Sequence, residues 1–423
     1  METLLRHIKK IIPTRLFNAL APFYHFGLAC FGATFFGFPS RKIHMIGVTG
    51  TKGKSSTTEI LNAILEEAGY STALVNGIRF KIKNDETKNT LKMTMPGRVL
   101  IQKYIRQAVR ASCDYFILEM TSEGAKQFRH KFLNLNGVIF TNISPEHIET
   151  HGSYEKYLEA KLSIARELAR SCKKNTTIIA NTDNKEGKKF LAVQADIKKP
   201  VSLNNLDFYE LKNDGIIFTL EEEKFYSPLL GKFNLYNMLV AVTYARSIGI
   251  KNEHIKNALK KITGIRGRVE KVQAGQDFDV VVDYAHTADS LRQFYGVFAR
   301  QKKICILGSC GGGRDQWKRS EMGAVADTNC DQIILANEDP YDEDPMQIIQ
   351  AVAKGIKKHT PIIILDRRKA IRHAIELAQQ GDAVLITGKG TDPYIMEANG
   401  KKTLWDDATI ARKELQEFLN NKK

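Results

Sequence analysis

One junction constrains this chain more than any other: a short apolar run that ends in a glycine loop and opens into a helix. The run "KIHMIGVTG" is rich in β-formers and ends at Gly50. After "TKGK", the segment "SSTTEILNAILEEAG" places Ile60, Leu61, Ile64, Leu65 and Ala68 at helical spacing, with Gly69 as the stop. A strand, a glycine-rich turn and a helix in that order form the repeating unit of α/β folds. The loop itself, Gly47-Val-Thr-Gly-Thr-Lys-Gly-Lys-Ser-Ser56, misses the general phosphate-loop pattern. That pattern needs a glycine, four residues and then Gly-Lys-Ser, which puts the first glycine at position 48, where Val48 stands. It still has the needed chemistry. Gly47, Gly50 and Gly53 let backbone N–H groups come close to phosphate oxygens, Lys54 brings a cation, and Ser55 offers a hydroxyl to Mg²⁺. Structural glycines without a ligand are the alternative reading.

The unit recurs along the chain. "YSTALVNG", "DYFILEMTS", "NGVIFTNI" and "NTTIIANTD" read as strands, with helices at "VLIQKYIRQAVRASC" and "SYEKYLEAKLSIARELARSC". A second block starts near Gly267. In it "FDVVVDYA", "KKICILGSC", "CDQIILANEDP", "TPIIILD" and "DAVLITGKG" are strands, and "DSLRQFYGVFARQ" is a helix. Alternation of this kind predicts an α/β protein. We expect a P-loop-type central domain with a mostly parallel sheet over 40–267, and a smaller Rossmann-like α/β domain over 268–423.

Residues 1–39 differ in character and read as an apolar and basic helical extension. "METLLRHIKKIIPTR" is basic and amphipathic, and from Leu16 to Pro39 the only ionisable side chains are His25 and Tyr24. The stretch has the length to span a bilayer, yet Asn18, Pro22, His25 and its glycines weaken it. Three readings stay open: a helix packed on the next domain, an interfacial helix on an anionic membrane, or a span.

Hydrophobic residues make up 43% of the chain and charged ones 26%, which excludes a wholly disordered protein. The net charge of +16 points to polyanionic partners or to solvated lysine faces. No nucleic-acid-binding signature accompanies that charge, so no nucleic-acid partner is expected. The six cysteines form no Cys-x-x-Cys pair and read as reduced, mostly buried thiols.

Three more residues carry candidate chemistry. Glu119 ends the strand "DYFILE", where a carboxylate can reach a metal at the loop mouth; a surface or capping role is the alternative. His147 follows a strand among acidic neighbours, where a structural histidine is the commoner case. Lys161 lies in the middle of a helix, where a solvated lysine is the plain reading.

The ordered set of motifs resembles the Mur ligase family of ATP-dependent amide-forming enzymes. The resemblance starts at the glycine loop, Glu119-Met-Thr-Ser122 and "TNISPEHIETHGSYEKYLEAK". It continues through "LLGKFNLYNMLVAV", "GRVE", "DYAHTADSL", "GSCGGGRDQWKR", "NEDPYDEDP" and "GKGTD". The later motifs look most like the MurE branch, which adds the third residue of the peptidoglycan stem peptide. The resemblance implies that ATP phosphorylates a carboxylate and an amine then displaces phosphate. It assigns ATP to Gly50, Thr51, Lys52, Gly53, Lys54, Ser55, Ser56, Asn237, Arg268, Asp283 and His286. It assigns Mg²⁺ to Ser55, Glu119, His147 and Lys161, the last as a carbamate formed with CO₂. Catalytic roles fall to Lys54, Glu119, His147, Lys161 and Arg268. Thr94, Ser122, Gln127 and Arg129 would bind a UDP-muramoyl-peptide-like acceptor, and Arg314, Asp339 and Asp392 the incoming amino acid. The implied location is cytoplasmic, at the inner face of the membrane if residues 1–39 are interfacial.

The chain also departs from the family's pattern. Lys52 replaces an Asn of the family loop, and Ser55 a Thr. Glu146 stands where Asp usually precedes the histidine. Tyr341 stands where diaminopimelate-adding members carry Arg, which leaves diaminopimelate, lysine or a similar amino acid open. About forty residues stand where MurE enzymes carry a UDP-binding domain. A folylpolyglutamate-synthase-like ligase and a non-catalytic nucleotide-binding scaffold at the membrane are the alternatives.

Overall fold

The computed structural model describes residues 14–146, 148–313 and 316–421. These residues fall into two compact units. The first takes in those up to 144, 154–203 and 239–255, and the second those in 145–153, 204–238 and from 256 on.

The first unit opens with α1 (Thr14–Phe35). The alternation read from sequence then follows. It begins with β1 (His44–Thr49), α2 (Lys54–Glu67), β2 (Thr72–Val75), β3 (Arg79–Ile82), β4 (Asp85–Lys88), α3 (Arg98–Arg110) and β5 (Tyr115–Met120). It continues with α4 (Ser122–Lys126), β6 (Gly137–Phe140), α5 (Tyr154–Ala169), β7 (Thr177–Asn181) and β8 (Ile197–Val201). The eight strands form one sheet in the order β4-β3-β2-β5-β1-β6-β7-β8. The run from β2 to β8 is parallel, and β3 and β4 add an antiparallel edge. Every residue of β5 is buried, as expected of a strand covered on both faces. The register sets Val48 beside Glu119 and Thr49 beside Phe140. The loop after β1 therefore lies between the carboxyl ends of β5 and β6, the usual place for a ligand in such a sheet.

Helix α1 packs through its small residues. Ala29 and Ala33 are buried, and a Cβ at Gly32 would lie 3.1 Å from the Cα of Val99 on α3. Phe26 meets the rings of Phe128 and Phe132 at 6.3 and 5.3 Å. The helix stops at Gly37, which adopts a φ of 68° while the Phe38 N–H bonds back to the Ala33 carbonyl. Its other face is apolar and uncovered, with Phe23 77% and Phe35 70% exposed beside Leu20, Tyr24 and Phe31. Among the described residues no helix is long and apolar enough to cross a membrane.

The second unit begins with an antiparallel meander, β9 (Phe208–Leu211), β10 (Ile216–Leu220) and β11 (Glu223–Ser227). The first turns of α6 (Lys232–Ser247) follow. Next come β12 (Glu270–Lys271), β13 (Asp279–Val282), α7 (Ala288–Val297), β14 (Lys303–Leu307), α8 (Lys318–Asn329) and β15 (Gln332–Leu335). The unit closes with α9 (Pro345–Ala353), β16 (Ile362–Ile363), α10 (Arg367–Leu377), β17 (Ala383–Ile386) and α11 (Asp407–Asn421). Its sheet runs β12-β13-β17-β14-β15-β16 and is parallel except at β12. Thr287 starts α7 with a reciprocal capping box to Ser290, so the segment "HTADS" turns from strand exit to helix within three residues.

One expectation is corrected here. Cys305 and Cys330 are joined as a disulfide, so two of the six cysteines are not free thiols. Cys305 lies within β14 and Cys330 just ahead of its neighbour β15, and their Cα atoms are 6.1 Å apart, within bridging range. The sequence separation of 25 hid a proximity that only strand pairing creates.

Candidate functional site

The loop after β1 is fixed in place by its neighbours. Gly50 has a φ of 152°, and a Cβ there would lie 2.0 Å from Thr141 Oγ1 and 2.9 Å from the Asn142 carbonyl. Gly53, at a φ of 80°, precedes the first residue of α2, and no side chain caps that helix end. The N-terminal N–H groups of α2 therefore point out of the loop, where helix dipole and amides favour an anion. Asn142 fixes the loop from the β6 side. Its carbonyl accepts from the Thr51 N–H at 2.8 Å, and its side chain bonds both the N–H and the carbonyl of Lys52 at 3.0 Å. Thr51 Oγ1 also lies 2.9 Å from the Tyr157 hydroxyl and accepts from the Ser144 N–H at 3.1 Å.

Ser55 and Glu119 meet. The Ser55 hydroxyl donates to Glu119 Oε2 at 2.8 Å, and the Gly77 N–H donates to the same oxygen at 2.9 Å. Glu119 is 2% exposed, and an isolated carboxylate at that depth would cost several kcal/mol. The two hydrogen bonds, with Lys54 Nζ 3.9 Å from Oε1, offset the cost. Lys54 also donates to the Thr51 carbonyl at 2.9 Å. A Cβ at Gly77 would lie 3.4–3.5 Å from Thr94 Oγ1, Glu119 Oε2 and Ser55 Oγ, so Thr94 shares this small oxygen-lined cradle. Hard oxygen donors, few in number and next to a phosphate-type loop, fit Mg²⁺, which takes one or two protein oxygens and fills the rest with water and phosphate. No group of three or more His, Cys, Asp or Glu side chains among the described residues makes an all-protein metal cage.

Lys161 is 2% exposed rather than solvated. It reaches back from α5 to donate to the Gly50 carbonyl at 2.6 Å, with Nζ 4.7 Å from the Tyr157 ring. Structure thus gathers Gly50, Thr51, Lys52, Gly53, Lys54, Ser55, Glu119, Thr94 and Lys161 around one loop. Ser56 is buried in the first turn of α2. His147 and Arg314 lie outside the described residues.

Ser122 is buried at the start of α4. The turn after α4 carries Gln127 and Arg129, joined by a bond from Arg129 Nη2 to Gln127 Oε1 at 2.8 Å.

In the second unit Arg268 stacks over Tyr284 at 4.6 Å and donates to the Gly267 carbonyl at 2.8 Å. Asp283 accepts from the N–H groups of Val269 and Ala285 at 2.8 and 2.7 Å, which locks the turn carrying His286. His286 Nδ1 faces the Tyr284 carbonyl at 2.7 Å, and Nε2 faces Glu146 at 3.0 Å. Asn237 is buried and donates to Asn234 Oδ1 at 3.1 Å. Asp339 and Asp392 meet through Lys389, whose ammonium lies 2.8 and 3.3 Å from them. Burial alone would lower the Lys389 pKa, but Asp392 and Asp339 outweigh it and raise it. The Gly311 N–H donates to the Asp339 carbonyl at 2.7 Å, and the Tyr341 ring lies against Gly312, which joins the "GGGRD" and "EDPY" segments. Beside them Glu338 is buried, which raises its pKa, and its Oε2 has no hydrogen-bond partner.

Several residues of these sites were not singled out from sequence: Gly77, Asn142, Tyr157 and Lys389. All four lie inside quoted segments; for Asn142, at the end of a strand, and Lys389, in "GKGTD", a polar residue at a strand exit is the available signal. Gly77 follows β2 and offers only a backbone N–H, which leaves no side-chain mark.

Known proteins resemble this chain along most of its length. Residues 48–245 match the Mur ligase middle domain, and residues 267–390 match the Mur ligase, glutamate ligase domain. A relative from Syntrophomonas wolfei subsp. wolfei, UDP-N-acetylmuramoyl-L-alanyl-D-glutamate–2,6-diaminopimelate ligase, is 34% identical over 403 residues, covering 92% of this chain and 81% of the relative. A solved structure of a ligase with that same name aligns with a TM-score of 0.60 at 26% identity, over 89% of this chain and 79% of its own. The Mycobacterium tuberculosis folylpolyglutamate synthase complexed with ADP and AMPPCP aligns with a TM-score of 0.69, over 86% of this chain and 93% of its own. At 15% identity that last likeness is one of fold. The chain belongs to the Mur ligase family.

Proposed function

We propose that this chain is an ATP-dependent ligase that joins the amino group of an amino acid to a carboxylate of UDP-N-acetylmuramoyl-L-alanyl-D-glutamate. The observation that carries the reading is the Ser55–Glu119 pair at 2.8 Å beside the open end of the glycine loop. The acceptor is taken from the names of the relatives. A folate-type acceptor is the second reading and rests on fold likeness alone.

Carboxylates are poor electrophiles, so the acceptor must first be phosphorylated. The acceptor carboxylate oxygen bonds to the γ-phosphorus of ATP as the bond to the ADP oxygen breaks. The amine then adds to the acyl carbon, loses a proton, and inorganic phosphate leaves with the bridging oxygen. The protein's work is to hold anions together and neutralise them. The loop amides from Gly50 to Ser56 and the Lys54 ammonium bind phosphate oxygens. Arg268 supplies a further cation, and Asn237, Asp283 and His286 position the nucleotide. Ser55 and Glu119 would hold one Mg²⁺, and His147 and Lys161 would contribute to holding a second. Mg²⁺ supplies charge neutralisation at the phosphates when bound. Lys161 serves as a carbamate: reaction of its unprotonated amine with CO₂ replaces a cation with a carboxylate. Thr94, Ser122, Gln127 and Arg129 hold the acceptor, and Arg314, Asp339 and Asp392 the amino acid. Since Tyr341 is neutral, we place diaminopimelate and lysine together as candidate amines.

The enzyme works at the cytoplasmic face of the membrane, seated peripherally by α1. Its exposed aromatic face, and Arg6, Lys9, Lys10 and Arg15 against the single acid Glu2 in the first fifteen residues, suit an anionic lipid surface. Replacing Phe23→Ser, Phe31→Ser and Phe35→Ser together should abolish sedimentation with phosphatidylglycerol vesicles; unchanged sedimentation would reject the seat.

An ADP-release screen tests the activity, pairing UDP-muramoyl dipeptide or a folate with a panel of amino acids. The muramoyl acceptor should support release with one or two amines. Release with the folate alone would replace the reading. Lys161→Ala should lose at least about 100-fold in rate and recover part of it with short carboxylates. Full activity without them would remove the carbamate.

A further inference from the structure

Helix α1 does more than cover α3: it brings a histidine to two arginines. Arg98 Nη2 lies 2.5 Å from His25 Nδ1. A guanidinium only donates, so Nδ1 accepts and the imidazole keeps its proton on Nε2. Arg98 Nε donates to the Gln127 carbonyl at 2.7 Å, and Arg129 donates to the Gln127 side chain and the Met95 carbonyl. Neutral carbonyl oxygens thus aim both guanidinium groups without cancelling their charge. Among the described residues, the Glu123 carboxylate favours charge on Arg129, and the Tyr24 phenol favours it on Arg98.

Holding two like charges together in this way is unfavourable without a ligand. Burial and then Arg129 push the Arg98 pKa down to about 10, and burial lowers that of Arg129. Arg129 Nε is buried with no hydrogen-bond partner, a rare state for a cationic donor. Arg98 is also the first residue of α3, whose start after Gly97 has no side-chain cap. Its leading N–H groups add positive potential at the same point.

We propose that His25, Arg98 and Arg129 form a binding site for the diphosphate of the acceptor. Two guanidinium groups carry two positive charges, and a sugar-linked diphosphate carries two negative ones. The fork of each guanidinium matches a pair of phosphate oxygens, and the His25 Nε2–H adds a neutral donor. The assignment rests on the reading that Gln127 and Arg129 face the acceptor. It adds two residues, His25 and Arg98, to which neither sequence pattern nor family likeness gave a role.

The test is a calorimetric titration of the whole protein with Mg²⁺ and AMPPCP saturating the glycine loop, so that the loop cannot take up the probe. The probes are UDP-muramoyl dipeptide, the same muramoyl dipeptide without UDP, and inorganic pyrophosphate. Arg98→Gln should weaken the UDP-linked acceptor and pyrophosphate at least tenfold, and His25→Gln about threefold, with the UDP-free acceptor unchanged. Arg98→Lys should recover part of the loss, which a merely structural role would not produce. Wild-type affinity for the UDP-linked acceptor in both Gln variants would overturn the site. If pyrophosphate binding falls in Arg98→Gln yet no acceptor turns over, the site stands and the proposed reaction falls. If turnover is intact with an unchanged acceptor KM in Arg98→Gln, the site falls and the reaction stands. Loss of phosphatidylglycerol vesicle binding in Arg98→Gln, with acceptor binding intact, would give the cluster to a lipid headgroup and overturn the proposal.

Discussion

At the scale of single residues, the buried Glu119 carries the most weight. Its carboxylate is held by a hydroxyl, a backbone N–H and a nearby lysine, so its charge is matched in place rather than left to solvent. Glu119→Gln keeps the shape and removes the charge. We expect its turnover to fall by about 100-fold or more and its half-saturating Mg²⁺ to rise, read by ADP release against a Mg²⁺ titration. Two buried histidines set a pH dependence. Burial, then Lys131 and Arg170, hold His130 down to about 3, and burial with Lys173 holds His44 down to about 4. Both folded values lie below the unfolded value of 6.5. Their contribution is therefore complete above pH 6.5, and it is lost as pH falls, down to about 4 for His44 and about 3 for His130. Each histidine costs up to about 1.4 kcal/mol of stability per pH unit in its window. Urea midpoints should fall between pH 6.5 and 4.5, and His130→Gln should flatten that slope. The loop's donors were legible in sequence because glycine, lysine and serine carry their chemistry in their identity. Asn142 was not, because its role depends on β6 pairing beside β1.

At the scale of elements, the turn between β1 and α2 is the sharpest case. Gly50→Ala would place a carbon 2.0 Å from Thr141 Oγ1, so the loop or β6 must move. We expect a stability loss of about 1–3 kcal/mol and loss of nucleotide binding, checked by thermal melts with and without AMPPCP. The parallel strands were readable because they are buried on both faces and appear as nearly continuous apolar runs, as "YFILEM" and "KICIL" do. The antiparallel edge β3–β4 was not read, since "RFKIKNDETK" offers too little apolar periodicity. The meander β9–β11 escaped because β9 is exposed at every residue, and the alternation of β10 and β11 is short. Helix α1 was legible as a helix, but not its inner face. Small residues such as Ala29, Gly32 and Ala33 signal close packing only once a partner helix is known.

At the scale of the whole molecule, two α/β units each present polar residues at the exits of a parallel sheet, the geometry that suits anionic ligands. Redox state was the one feature on which composition misled. Spacing cannot show that adjacent strands bring Cys305 to Cys330, so thiol titration of the denatured, unreduced protein should count four thiols rather than six. The central claim is that ATP activates a carboxylate, and isotope transfer tests it most directly. The acceptor is labelled with ¹⁸O in its reacting carboxylate and turned over with ATP and the amine, and the released phosphate is weighed by mass spectrometry. The account predicts one ¹⁸O in each phosphate, because the bridging oxygen leaves with phosphorus; unlabelled phosphate would contradict it.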